Sequence, residues 1–363
     1  MKILFLGEPD SPNTATWVDG LRSLGCEVFI ATVRPSNTGK ECYSIGLGFL
    51  PARLRILTGI FSLKRLIAKI NPDLLLAYRV TSYGFLAAQS GFHPFVVAAQ
   101  NERIVFLPEK SPLRSWFLGM CARFALKRSD LAHAWSKNIA EGLNSFGLDE
   151  SKILTLHRGI NTKAFKCVAE SRTNRSFNPD APVFLSTRSL YREYRIDDLL
   201  IAFSLLVKKI PRARLEIAGD GAEEERLQIL TKKLGLEEQV SFHGRLSNDE
   251  LLSLMESSDI YISIIATEGM SSSLLEAVVA QLFPIVVDMP ASRFIVKNNI
   301  NGICLQDTSK KTLLEAMRKA VCQYDGIKHN LNSNATIVAS QYDRDQNLKT
   351  FIEKYENLIK TTS

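Results

Sequence analysis

Long apolar runs are missing from this 363-residue chain, and nothing in it approaches the roughly 18 uninterrupted apolar residues that a membrane-crossing helix needs. The first run, in MKILFLGEPDSP, stops at Gly7-Glu8-Pro9. It is too short for the core of a secretory signal and reads as a buried first strand. The six cysteines are scattered without C-x-x-C spacing, which argues against a zinc site and fits reduced thiols in a cytosol. The five histidines lack metal-ligand spacing too, and His243, at a strand end, is expected to be structural. No G-x-S-x-G elbow and no P-loop occur, so serine-hydrolase and NTPase chemistry fall away. No helix-turn-helix, RNP or zinc-finger pattern occurs either. Nucleic acid is therefore the weakest of the anionic partners that a net charge of +7 would attract. Low-complexity tracts and blocks of like charge are absent, and disorder is expected only at the extreme C-terminus.

What is present is an alternation of short β-rich apolar runs with amphipathic stretches, in a chain that is 45% hydrophobic and long enough for two domains. KILFLG, EVFIATV, DLLLAYR and PFVVAAQ read as buried parallel strands, with TWVDGLRSLG and LKRLIAKINP as helices between them. LAHAWS and KILTLHRGI add two more strands. After Phe165 the stretch KCVAESRTNRSFNPDAP is polar and contains two prolines, and it reads as a linker. The alternation restarts with PVFLSTR, RLEIAGDG, QVSFHG, DIYISII, FPIVVD and GICL as strands. The last segment is an amphipathic helix with Leu348, Phe351, Ile352, Tyr355 and Leu358 on its apolar side. The expected fold is α/β, with two doubly wound, Rossmann-like parallel units. The expected boundaries are residues 1–165, a linker at 166–180, a second domain at 181–340 and a returning helix at 341–363. Ligands of such sheets bind at the carboxyl ends of the strands, so two units facing each other would form a cleft lined by loops from both.

The stretch TEGMSSSLLEAVVAQ, residues 267–281, carries two carboxylates. Glu276 stands between apolar residues, where an ionised group needs either a cleft or a partner. In a continuous helix Glu268 and Glu276 would lie about 12 Å apart along the axis, too far for the roughly 5–9.5 Å pairs that act across one glycosidic bond. They are better spaced to hold opposite ends of an extended ligand. Between them, Gly269-Met270-Ser271-Ser272-Ser273 should begin a helix whose free N–H groups and hydroxyls suit anionic oxygens. A sugar joined through a diphosphate to a nucleoside has that layout. The bland alternative is a serine-capped helix with Glu276 satisfied by a buried arginine.

STRSLYREYR directly follows a strand, so Arg188, Arg192 and Arg195 occupy a loop at the expected site, and guanidinium forks suit phosphate oxygens. The turn IAGDG, with Gly219 and Gly221, is weak evidence by itself, because any tight strand-to-helix turn favours glycine. A full G-x-G-x-x-G is missing, which speaks against a nicotinamide or flavin enzyme. Finally, LPARLRILTGIFSLKRLIAKI and SPLRSWFLGMCARFALKR mix basic with bulky apolar residues. They suit helices packed on their own sheet with basic ends reaching solvent, or a surface resting on anionic lipid.

The order of features over residues 180–305, "DDLLIAF", "RLEIAGDG", "VSFHGRLSNDELLSLMESSDIYI", "EGMSSSLLEAVVAQLFPIV" and "NNINGICL", resembles the C-terminal domain of GT-B glycosyltransferases of family 4, the glycosyl transferases group 1. The spacing of Glu268 and Glu276 matches that family's E-x7-E motif. The N-terminal half resembles the family more loosely, and "RGINTKAF" is similar to its exit into the second domain, with Asn161 in place of the usual Asp. The resemblance implies a GT-B fold with an interdomain cleft. It also implies a retaining, metal-independent hexosyltransferase without a cofactor, using a nucleoside-diphosphate sugar as donor. The acceptor would be a glycan or lipid-linked saccharide, as in polysaccharide or glycoconjugate assembly. The setting would be the cytoplasm, with peripheral contact to an anionic membrane face. By position, Glu276 would hold the ribose and Glu268 the sugar. Arg188 would hold the diphosphate, with Gly7, Arg192, Gly219, Gly269, Met270, Ser271, Ser272, Ser273 and Leu274 completing the donor site. Two departures stand out. Where the family has a Lys after its Arg, this chain has Tyr194-Arg195, so Arg195 or Arg192 would supply the second cation. The acceptor-side loop reads Ala98-Ala99-Gln100-Asn101-Glu102, which makes Asn101 and Glu102 the catalytic candidates there. Both departures leave open a GT-B-shaped binding or scaffold protein without turnover. A sugar-nucleotide epimerase would need catalytic acids that the sequence does not offer.

Overall fold

The computed structural model describes residues 1–34, 36, 41–49, 52–99, 112–173, 175–265 and 269–362. The chain divides into two compact units, Met1–Arg158 with Arg344–Ser363, and Gly159–Asp343.

The first unit is built on β1 (Lys2–Leu6), β2 (Glu27–Thr32), β3 (Tyr43–Ser44), β4 (Leu74–Tyr78), β5 (Phe95–Ala99), β6 (Leu131–Ala134) and β7 (Ile153–Thr155). They form one sheet in the order β3-β2-β1-β4-β5-β6-β7, parallel at every pairing. β4 and β5 are buried at every residue, as expected for central strands covered on both faces, and this is why they read as unbroken apolar runs rather than alternating ones. The order reverses between β1 and β4, which marks the ligand end of such a sheet.

The C-terminal helix Arg344–Thr362 belongs to this first unit. Leu348, Phe351 and Tyr355 are its fully buried stripe. Gly20, on the helix Pro12–Ser23, lets it approach closely, since a Cβ there would lie 2.3 Å from the Leu348 side chain. Beneath it, Trp17 packs against Phe5, His133 and Phe351 with centroids 5.5–5.9 Å apart. The Tyr355 hydroxyl and His133 Nε2 are 3.0 Å apart.

The second unit carries β8 (Val183–Ser186), β9 (Arg214–Ala218), β10 (Val240–Gly244), β11 (Ile260–Ser263), β12 (Phe283–Val287) and β13 (Ile303–Leu305). Their order is β10-β9-β8-β11-β12-β13, again parallel throughout. Its reversal falls between β8 and β11. His243 is structural in the expected sense, because its Nε2 lies 2.6 Å from the buried Glu216 carboxylate on the neighbouring strand.

The segment expected as a linker differs. It is helical through Thr173, in the helix Thr162–Thr173. Thr162, Phe165, Val168, Ala169 and Arg172 are its buried face, a regular helical spacing that the polar composition obscured. Arg172 is what makes the face unusual. Its Nη1 donates to the Met255 carbonyl at 2.9 Å and to the Ser258 carbonyl, and its Nη2 to the Tyr324 hydroxyl at 2.9 Å. A buried cation here satisfies carbonyls at the end of the helix Asn248–Ser257.

Burial lowers the pKa of both His133 and His157 from 6.5 to about 3. Both are neutral in the folded protein and protonated in the unfolded chain below pH 6.5, so acid favours unfolding. Stability should therefore fall as pH drops from 6.5 towards 3, by about 1.4 kcal/mol per pH unit for each histidine. His133→Phe should roughly halve that part of the slope in urea titrations run between pH 6 and 4.5. A slope unchanged by the substitution would show that His133 does not titrate on unfolding.

Candidate functional site

At the point of reversal in the second sheet, Ser186 ends β8 and Arg188 follows two residues later. Arg188 is only 6% exposed. Its Nη1 donates to Ser271 Oγ at 2.8 Å and to Ser273 Oγ at 2.7 Å, and its guanidinium lies 4.7 Å from the centre of the Tyr194 ring. The two serine hydroxyls are 3.0 Å apart, and the Tyr261 hydroxyl sits 2.8 Å from Ser273 Oγ. Ser271 is the N-cap of the helix Ser272–Val279 and accepts from the Leu274 N–H. These partners hold a fixed cation against the end of a helix whose own partial charge is positive.

The Gly219–Gly221 turn explains how Arg188 is held. Gly219 has φ 151°, and a Cβ there would lie 2.2 Å from the Arg188 carbonyl oxygen. At Gly221 it would lie 2.4 Å from the Leu190 carbonyl. The Leu190 N–H donates to the Asp220 carbonyl at 2.8 Å, and the Glu223 N–H to Leu190 at 2.9 Å. The glycines thus serve close approach of two loops, and Gly219 acts on Arg188 through the backbone.

Beside this network lies a small pocket at the carboxyl ends of β11 and β12, lined in part by Ser263, Gly269, Met270, Ser271, Leu274 and Ser292. Gly269, Met270, Ser271 and Leu274 all line this pocket. Ser272 begins the helix next to them. Glu276 is half-buried between the buried Leu275 and Ala277. Glu268, and Asn101 and Glu102 of the other half, lie outside the described residues. Gly7 is in the first unit, where its N–H donates to the Ala31 carbonyl and a Cβ would strike the Phe5 ring.

Arg192 is exposed on the short turn Arg192–Tyr194. Arg195 is committed elsewhere. It adopts φ 54° at the N-cap of the helix Ile196–Val207, its Nε and Nη2 grip the Asp198 carboxylate at 2.8 and 2.7 Å, and its Nη1 donates to Thr308.

The contributions of four residues went unread in the sequence. Tyr261 and Tyr194 complete the Arg188 network, and the signal was a hydroxyl-bearing ring in each of two otherwise ordinary stretches, DIYISII and REYR. In the first unit, the carboxyl ends of β1 and β4 carry Glu8 and Arg79. Arg79 Nη1 donates to Glu8 Oε1 at 2.9 Å, and Arg34 stands 3.5 Å from the same oxygen. Arg79 has φ 79°, a backbone that costs a non-glycine residue on the order of 1–3 kcal/mol and is found clustered at functional sites. A larger cavity lies at the other end of the second sheet, but Arg172 and Arg175 there are engaged by helix-end carbonyls and Asp259. Among the described residues, no three His, Cys, Asp or Glu side chains gather as a metal site would require.

The model of the "Glycosyl transferases group 1" family matches residues 168–338, and that of "Glycosyl transferase 4-like" matches residues 2–134. Together these two glycosyltransferase models match most of the chain. EpsD of Bacillus subtilis, described as a glycosyltransferase, is 30% identical over 46% of this chain and 44% of its own length. The match thus spans less than half of that relative. An uncharacterized glycosyltransferase of Methanocaldococcus jannaschii is 22% identical over 72% of each chain. Among solved structures, Anabaena HepE in complex with UDP-glucose aligns with a TM-score of 0.79 over 99% of this chain and 100% of that one, at 15% identity. The sucrose-phosphate synthase of Thermosynechococcus elongatus aligns at 0.81 over the same shares, at 16% identity. The chain therefore has the GT-B fold.

A methyl group at Gly219 cannot be accommodated without moving the Arg188 carbonyl. Gly219→Ala should cost on the order of 2 kcal/mol of stability in urea denaturation. A variant as stable as the wild type would mean that the two loops are not locked together.

Proposed function

We propose that the protein transfers a hexose-type sugar from a nucleoside diphosphate to a glycan or lipid-linked acceptor. It would do so in the cytoplasm, at an anionic membrane face, in polysaccharide or glycoconjugate assembly. One observation carries the reading. A buried arginine is clamped by two serines against a helix N-terminus, beside a pocket at the strand ends. Cation and helix end concentrate positive potential at one point, and a diphosphate is the ligand that both would stabilise. The UDP-glucose in the HepE complex supports a donor of that class.

The chemical role follows from charge. As the bond from sugar to diphosphate breaks, negative charge builds on the departing phosphate. Arg188 and the positive end of the helix Ser272–Val279 would stabilise it with little reorganisation, because they are already fixed. Glu276, on the same helix, would accept hydrogen bonds from the ribose hydroxyls, and Glu268 would orient the sugar. The pocket formed by Gly269, Met270 and Leu274 would exclude water from that bond. Retention at the anomeric carbon and independence of metal complete the proposal, so a chelator should leave the rate unchanged.

A second reading, donor binding without turnover, is favoured by Arg195, whose fork is held by Asp198 and Thr308. Thermal shift against nucleoside diphosphates and their sugars separates these readings from failure of both. At a hundredfold excess over Kd, one nucleotide should stabilise the wild type by about 2.7 kcal/mol and Glu276→Ala far less. Arg188→Ala should lower kcat by about 10²–10³-fold in a sugar-transfer assay. Binding without transfer to any glycan or lipid-linked acceptor would favour the second reading. Absence of a shift with every nucleotide would overturn both.

A further inference from the structure

The helices Ala52–Ile70, Phe85–Ser90 and Pro112–Arg128 connect β3 to β4, β4 to β5 and β5 to β6. All three connections step the same way across a parallel sheet, so right-handed crossovers place them on one face. The Phe85 and Phe124 rings, 5.4 Å apart, join the second to the third. The helix Pro12–Ser23 steps the other way and packs with Arg344–Thr362 on the opposite face.

Ala52–Ile70 follows the expected pattern, with Leu63, Leu66 and Ile70 buried and Lys64, Arg65 and Lys69 outward. Pro112–Arg128 does not. Cys121, Ala122, Ala125 and Leu126 face the core, yet Leu113, Trp116, Phe117 and Met120 are also apolar and stand exposed, Leu113 at 80% and Trp116 at 64%. Their spacing of three and four residues puts them on one stripe. Further along the same helix, exposed Arg123, Lys127 and Arg128 follow, two of them lying over the Phe146 and Phe124 rings. Neither long helix contains a single Asp or Glu. Phe61, 75% exposed, adds a further apolar group from the neighbouring helix.

We propose that this face of the first unit is a docking surface for an anionic lipid bilayer. Leu113, Trp116, Phe117 and Met120 would enter the headgroup boundary, and Arg123, Lys127, Lys64 and Arg65 would rest on anionic headgroups. Charge complementarity selects this occupant. A second copy would bring two acid-free basic faces together, and a nucleic acid would match the charges while leaving Leu113 and Met120 in water. An interfacial helix of this kind binds through buried apolar area plus attraction to anionic lipid. The inference rests on the proposed function only for its location, since vesicle binding needs neither donor nor acceptor.

The full chain is tested by co-sedimentation with phosphatidylcholine vesicles, with and without phosphatidylglycerol. Trp17 and Trp135 are buried, so among the three tryptophans Trp116 should dominate any blue shift in emission. Partition onto phosphatidylglycerol vesicles should exceed that onto neutral ones by about tenfold or more and weaken with salt. The double variant Trp116→Ser/Phe117→Ser should lose about tenfold of it while keeping its unfolding midpoint and its nucleotide-induced shift. Arg123→Glu/Lys127→Glu should lose the lipid selectivity. No partition onto either vesicle, partition unaltered by both double variants, or a dimer abolished by Trp116→Ser/Phe117→Ser would each overturn the proposal. A retained nucleotide shift in those cases would leave the donor site standing.

Discussion

An arginine with 6% of its surface exposed has lost most of its hydration, and much of the second unit is arranged around making Arg188 tolerable and fixed. Burying a charge costs several kcal/mol unless hydrogen bonds and nearby dipoles replace the water. Ser271, Ser273 and the Tyr194 ring do part of this, and Tyr261 orients Ser273 from within β11. The glycines at 219 and 221 allow the neighbouring loop to close over the Arg188 backbone. A flexible surface arginine would lose entropy on meeting a phosphate; this one has already been ordered by folding.

The first unit distributes its constraints differently. Its C-terminal helix is docked by aromatic packing around Trp17 and by the meeting of His133 and Tyr355, on a face that is closed. The other face ends in a helix that is apolar on both sides, which a protein surrounded only by water has little reason to keep. One sheet thus carries an inward-looking layer that holds the chain end and an outward-looking layer with bulky side chains left in solvent. Between them, at the strand ends, Glu8 restrains an arginine in an uncommon backbone conformation.

Legibility in the sequence tracked the range of the interactions concerned. Strands such as DLLLAYR and PFVVAAQ were readable because burial on both faces demands an unbroken apolar run. The terminal helix was readable because Leu348, Phe351 and Tyr355 repeat at helical spacing. Thr162–Thr173 was not, because one member of its buried face is an arginine whose partners are carbonyls and a hydroxyl 83 or more residues away. The motif around residues 269–276 was legible as a local pattern, and so was Arg188 as a residue following a strand. Arg195 looked equivalent to Arg188 in the string; only its contacts with Asp198 and Thr308 set it apart.

By itself, then, the sequence determined the two parallel α/β units, the order of their strands along the chain and the helix that begins at Ser272, since each depends on periodicity and turn chemistry over a few residues. Tertiary structure alone decided which cation is held against that helix, which glycines close over it, and which helix leaves Trp116 and Phe117 in solvent. Those are matters of direction and burial, and they arise only when strands distant in sequence lie side by side and bring their loops to the same end of a sheet.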